Sequence, residues 1–250
     1  MKRGFTLIEM VVVLLILSLV AGLAVRELGA VRASRREVAA REQHEELQRA
    51  AAEFLSDIGR LPKLTSETNT TGEIVGTLSE LWRKSAALPA VGIVTNEGVV
   101  VVRGWNGPYI KLQHGATRLR DVWGNAIETP DDAGLTRLFT DEQGIVTRIA
   151  HYGARGAREN REEFSLIPEG GLSARVVVTS PGADRVACHQ PIEGRDTILL
   201  AERTPSVTQF VLSGVTPGKR TLVVSGTNGV EVVRRIDVKG PVCEVEVLLK

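Results

Sequence analysis

The chain has 250 residues, with 31 Lys plus Arg against 30 Asp plus Glu and 4% aromatic residues. This near balance excludes the basic footprint of a nucleic-acid-binding protein, so no DNA or RNA partner is expected. Two cysteines, Cys188 and Cys243, are too few for a disulfide framework or a zinc site.

The first predicted element is an apolar helix. Between residues 5 and 25 the only ionisable side chain is Glu9; Lys2 and Arg3 precede the run and Arg26 closes it. The length suits a bilayer-spanning helix, which needs about 20 apolar residues. The basic leader predicts a cytoplasmic start, with the rest of the chain outside. Three readings fit the segment: a secretory signal removed after Gly22-Leu23-Ala24, a plain signal anchor, or a short leader that is itself the cleavage signal. Glu9 separates them. A carboxylate in hydrocarbon costs about 3 kcal/mol on insertion scales, so it marks a function or a partner unless it snorkels to the interface.

The stretch KRGFTLIEMVVVLLILSLVAGLA resembles the processing motif and membrane helix of type IV pilins and of type II secretion pseudopilins. The matching residues are a basic leader ending in Gly4, followed by Phe5, Thr6, Leu7, Ile8 and Glu9. The resemblance implies that a prepilin peptidase cuts after Gly4 and methylates the new terminus at Phe5. It also implies that Glu9 meets the terminal amine of a neighbouring subunit in a filament. A lone carboxylate and a lone ammonium are each costly in an apolar core, and pairing neutralises both. Such a pair enforces register, because a misaligned subunit strands two charges.

Helical signal continues beyond Arg26. Leu47, Ala51, Phe54, Leu55 and Ile58 fall on one face, while Glu42, Glu46, Arg49 and Glu53 take others. Gly59 and Pro62 then act as stop signals. One helix over residues 6–58 is therefore expected, apolar in its first half and amphipathic in its second. The mixed charges of residues 26–46 read as a solvated face or as contacts between subunits.

A short helix is expected near residues 77–87. IVTNEGVVVV predicts a hairpin around Asn96-Glu97-Gly98, and TRLFTDEQGIVTRIAHYGARG reads as strand, turn, strand and glycine-containing loop. Three short segments, Gly59-Arg60-Leu61-Pro62, Gly107-Pro108-Tyr109-Ile110 and Asp121-Val122-Trp123-Gly124-Asn125, occur in the order found in the major pseudopilin of type II secretion systems. The resemblance covers about residues 1–164. Trp105 and Trp123 read as core and hairpin-packing residues, with surface recognition as the alternative. Asp121 is expected to accept backbone N–H groups in its turn.

The major pseudopilins bind calcium in the loop after the last strands, through hard oxygen ligands. Here the matching loop reads HYGARGARENREEF, with Arg155, Arg158 and Arg161 where the family carries acidic residues. A guanidinium opposes the ion, so no metal and no other cofactor is expected. Glu159, Glu162 and Glu163 are the alternative ligands.

Gly170-Gly171 marks a linker, after which short apolar-alternating runs are punctuated by Pro181-Gly182, Pro217-Gly218, Asn228-Gly229 and Gly240-Pro241. This spacing predicts a β-sandwich. FVLSGVTPGKRTLVV resembles the strand–turn–strand of carboxypeptidase regulatory-like and prealbumin-like modules. Cys188 and Cys243 both lie here, and an extracytoplasmic location leaves open one bridge between them or two buried thiols.

The expected fold class is α+β: a long N-terminal helix packed on a small antiparallel sheet, followed by a separate all-β sandwich domain. The expected divisions are a leader (1–4), a helix spanning the membrane to about residue 25 (5–58), a pseudopilin head (59–168) and the sandwich (172–250). His44, His114, His151 and His189 show no metal-ligand spacing, and no P-loop or G-x-S-x-G occurs, so no catalytic site is expected.

The resemblance implies a structural subunit of a type II secretion pseudopilus, anchored in the inner membrane by one span with its bulk in the periplasm. Its partners would be further copies in a homo-oligomeric filament, other pseudopilins, the inner-membrane assembly platform and the prepilin peptidase. A surface type IV pilin and a monomeric membrane-anchored periplasmic binding module are the alternatives. The extension could contact cargo or another envelope protein, or serve only as a stabilising addition.

Overall fold

The computed structural model describes residues 7–68, 72–96, 99–129, 136–151, 162–202 and 208–249. Its class is α+β with a β-rich C-terminal region. Helix α1 runs from Leu7 to Ile58 without a proline. The chain forms two compact units, Met1–Gln43 and His44–Lys250, so α1 belongs to both.

In the second unit, Leu47, Ala50, Ala51, Phe54, Leu55 and Ile58 recur every three or four residues and are buried. This stripe packs against Leu61, Leu78, Leu81, Leu88, Ile110, Ile127, Val146, Ile149 and Leu166. Gly59 ends the helix with φ +87° and donates its N–H to the Leu55 carbonyl at 2.8 Å. A Cβ there would also lie 1.9 Å from the Pro191 carbonyl oxygen, so the stop is a glycine for two independent reasons.

Three small sheets follow the helix, and Leu138, Val146 and Ile149 of the third line this core. β1 (Thr65–Thr68), β2 (Ile74–Thr77) and β5 (Glu128–Thr129) form one, in the order β1-β2-β5. β3 (Gly92–Asn96) and β4 (Val99–Arg103) pair antiparallel around the expected turn, of which residues 97–98 lie outside the described residues. β6 (Thr136–Thr140), β7 (Val146–His151) and β8 (Glu162–Ser165) form the third, also antiparallel.

The helix expected near residues 77–87 is a single 3-10 turn, Ser79–Leu81. Its carbonyls have been taken by distant donors. The Trp105 indole donates to the Glu80 carbonyl at 2.8 Å, and the Tyr109 N–H donates to that of Leu81 at 2.8 Å. Those are the acceptors that a continuing α-helix requires.

The C-terminal region comprises β9 (Ala174–Thr179), β10 (Ala183–Ile192), β11 (Arg195–Glu202), β12 (Gln209–Val215), β13 (Gly218–Gly226), β14 (Glu231–Val238) and β15 (Val242–Glu246). They build a four-stranded sheet, β11-β10-β13-β14, and a three-stranded sheet, β12-β9-β15. Alternation sends Val186, Cys188, Leu222 and Val224 of the first sheet and Val176, Val178, Phe210 and Val245 of the second into one shared core. The opposite face of β10 and β13 is not left to solvent: Ala187 and Val223 are buried against Val99 and Val101 of β4.

Two guanidiniums hold this region to the end of α1. Arg220 is fully buried and donates to the Ser56 carbonyl at 2.9 Å, one of the last carbonyls of α1, and to Thr216, Pro217 and Lys219. Gly218, with φ +113°, permits the approach, since a Cβ there would meet the Ser56 hydroxyl at 2.2 Å. Arg60 binds both oxygens of buried Glu80, at 2.8 and 3.1 Å, and donates Nε–H to Glu193 of the β10–β11 turn at 2.7 Å. Lys63 completes the group through Glu193 at 2.9 Å. Burial opposes the charge on Arg60, but Glu80 and Glu193 outweigh it and raise its pKa.

A ring cluster ties α1 to the third sheet. His44 stacks on Phe164 with centroids 3.8 Å apart, and buried His151 lies 4.9 Å from His44 and 4.8 Å from Trp123. Burial, then the neighbouring His151, lowers the His44 pKa to about 4. Burial lowers that of His151 too, against Glu162 and Asp121.

Two outcomes follow from these contacts. Arg60→Ala strands the Glu80 carboxylate in the interior and should lower stability by ~3–5 kcal/mol, read from urea unfolding of the full chain in detergent. The histidines give a pH dependence of defined sign. Unfolded His44 protonates near pH 6.5 and folded His44 only near 4, so its contribution is complete above pH 6.5 and is lost as pH falls through that window. The thermal midpoint should decline from pH 6.5 to 4.5, and His44→Phe should reduce that slope.

Candidate functional site

The processing residues Gly4 and Phe5 lie outside the described residues. Glu9 stands in the first turn of α1 and is exposed. Every side chain from residue 7 to 22 is exposed as well, including Leu7, Ile8, Leu15 and Leu19 at 84, 72, 66 and 69%. This helix is apolar around its whole circumference, the pattern of an element surrounded by lipid or by other helices. Its Ser18 hydroxyl donates to the Leu14 carbonyl at 2.8 Å, so that polar group is satisfied within the helix. Among the described residues no helix is long and apolar enough to cross a membrane; in sequence the apolar run continues to Val25.

The alternative calcium ligands are not brought together. Glu159 lies outside the described residues. Glu162 and Glu163 are successive residues of β8 and so project to opposite faces. Glu163 accepts from Arg148 at 3.0 Å, and a Glu162 oxygen lies 3.5 Å from His151 Nε2. Among the described residues no three His, Cys, Asp or Glu side chains group in a way that could hold a metal ion.

Cys188, on β10, and Cys243, on β15, sit on opposing sheets and line the same core, and both are free thiols. Burial pushes the Cys188 thiol up to about 12 and raises that of Cys243. Both are therefore protonated and weakly nucleophilic at neutral pH.

Trp105 packs on the main core and stands edge-on to Tyr109 with centroids 5.7 Å apart. Asp121 receives the N–H groups of Trp123 and Asn125 at 3.0 and 2.7 Å, and its other oxygen accepts from the Asn125 amide at 2.9 Å. The segments Gly59–Pro62, Gly107–Ile110 and 121–125 thus serve to build the interior that holds α1.

Sequence reading missed a buried polar group. Arg103 donates to the His189 carbonyl at 2.9 Å and lies 3.5 Å from Asp196, which is 2.7 Å from His189 Nδ1. The His189 and Asp196 side chains are 0 and 2% exposed. One signal was available for buried Arg220. It has the same strand parity as the inward-facing Leu222 and Val224, so the alternation of β13 aims it inward. No sequence spacing announced the rest, because Arg103 stands 86 residues from His189.

A family model described as the prokaryotic N-terminal methylation motif matches residues 1–25. No curated protein and no solved structure matches the chain. The matched residues form a type IV pilin-like signal for prepilin processing, and they include the apolar part of α1 from Leu7 onward.

Proposed function

We propose that the protein is a structural, non-catalytic subunit of a type II secretion pseudopilus. Prepilin peptidase removes residues 1–4 and methylates Phe5. The run of residues 5–25 then anchors the subunit in the inner membrane by a single span, with residues 44–250 in the periplasm. An assembly platform extracts subunits from the bilayer, and they polymerise with further copies and with other pseudopilins through their helices.

The observation carrying this reading is the methylation motif at residues 1–25, whose residues 7–22 form a helix that exposes apolar side chains on all sides, with a single carboxylate in its first turn. Exposed apolar surface of that extent requires a lipid or protein partner. In the filament, lipid contacts of α1 give way to contacts between helices, and Glu9 pairs with the amine of Phe5 on a neighbour. The pair sets the register, because an apolar helix packed on another has no directional contact of its own. The ordered segments around Arg60, Tyr109 and Asp121 favour a secretion filament over a surface pilus.

Cysteines placed singly along residues 10–25, with Cys188 and Cys243 changed to Ala, test the assembly directly. Oxidation in cells should give a ladder of crosslinked oligomers, and strictly monomeric protein would make the chain a solitary anchor. Glu9→Ala should reduce the ladder by about tenfold at unchanged monomer level, since each contact then strands an ammonium. A ladder indifferent to Glu9 would remove it from the assembly mechanism.

A further inference from the structure

A cleft of about 460 Å³ opens between the last turns of α1, strand β4 and strands β13 and β14. Arg103 and Arg220 line its depth; their side chains are almost wholly enclosed. Lys219 and Arg235 line its exposed part, and their side chains have no hydrogen bond or ion pair among the described residues. Four cations thus face two carboxylates of the lining, Asp57 and Asp237, and a third, buried Asp196, lies 3.5 Å from Arg103.

The three acids leave one positive charge in excess. Asp57 accepts the Tyr109 hydroxyl at 3.0 Å, and Asp237 is 3.1 Å from Lys239 outside the cleft. Arg220 is saturated by carbonyl and hydroxyl oxygens alone, without a carboxylate. Burial and the charge of Arg103 push the Arg220 pKa down to about 10, so the pair remains charged at neutral pH and repels itself. An anion entering the cleft relieves that repulsion. The wall formed by β4 adds apolar surface through Val100, Val101 and Val102.

We propose that this cleft binds a carboxylate attached to an apolar body. A singly charged group suits it better than a phosphate dianion, which Asp57 and Asp237 would repel more strongly. Arg103 retains one N–H on each terminal nitrogen after its bonds to Val102 and His189, and so keeps donors for an incoming oxygen.

Two sources can supply such a group. One is a small free monocarboxylate with an alkyl chain. The other is an acidic side chain of a polypeptide, and a second copy of this chain offers one. Among the described residues strand β15 pairs with β9 alone, and it presents Glu244 and Glu246 between exposed Val242 and Leu248. The inference does not depend on the filament reading.

Calorimetry of the full chain in detergent separates the outcomes, with hexanoate, inorganic phosphate and a synthetic peptide of residues 241–249 as probes. Saturable binding of hexanoate identifies a small-molecule site, and binding of the peptide alone identifies a polypeptide contact. In either case the double variant Lys219→Gln, Arg235→Gln should weaken affinity by about tenfold. Both side chains are exposed, so an unchanged unfolding midpoint confirms that the fold is intact. No binding of hexanoate or peptide up to millimolar concentration, equal affinity in the variant, or phosphate binding tighter than either would overturn the proposal.

Discussion

The guanidinium of Arg60 is the constraint on which the arrangement of residues 44–250 turns. It stands two residues past the end of α1, lies over the Phe54 ring and draws Glu80 of the head and Glu193 of the β10–β11 turn onto one charge. A buried carboxylate such as Glu80 is tolerable only with that partner, so the path of the chain through residues 78–81 depends on it. Arg220 repeats the arrangement from the other side, placing a cation on the final carbonyls of α1, where the helix dipole is negative. The two arginines make the C-terminal sheets part of the same folded body as the helix end and the head.

Gly59 approaches Pro191, Gly218 approaches Ser56, and Val99 and Val101 cover Ala187 and Val223. These are close-packed contacts that join the end of α1 and the β3–β4 hairpin to the C-terminal sheets. A surface on β13 or β14 is then held at a fixed distance from the end of α1. In a filament built by regular stacking of helices, that would present the same surface at every subunit. The same physical rule acts at both ends of the helix. Arg60 and Glu80 neutralise each other within the chain, and in the proposed filament Glu9 is neutralised only by a neighbour.

Local features were legible in the sequence where the physics is local. The apolar run and the stripe from Leu47 to Ile58 foretold α1, and Gly59 foretold its end. Alternation with Asn-Glu-Gly and Asp-Glu-Gln-Gly turns foretold the β3–β4 and β6–β7 hairpins, and Asp121 caps its turn as expected. The segment near residues 77–87 was illegible because its helical acceptors are taken by Trp105 and Tyr109, more than 20 residues away. The docking of the C-terminal sheets was illegible for a similar reason. Glu193 lies 133 residues from Arg60, and Ser56 lies 164 from Arg220. No periodicity encodes such pairings. The residue proposed to act in assembly behaves differently again: Glu9 is conspicuous in sequence because it breaks an apolar pattern, whereas within the single chain it is an exposed side chain on a helix.

The central claim is that this helix begins, after processing, at Phe5, so that Glu9 survives to meet a neighbouring amine. Intact-mass and N-terminal fragment mass spectrometry of the protein purified from its membrane tests it most directly. The account predicts a chain lacking residues 1–4 and carrying one methyl group on the amine of Phe5. A mature chain beginning at Val25 would eliminate Glu9 and make the apolar run a secretory signal, and an unprocessed chain beginning at Met1 would make it a plain anchor; either result would contradict the account.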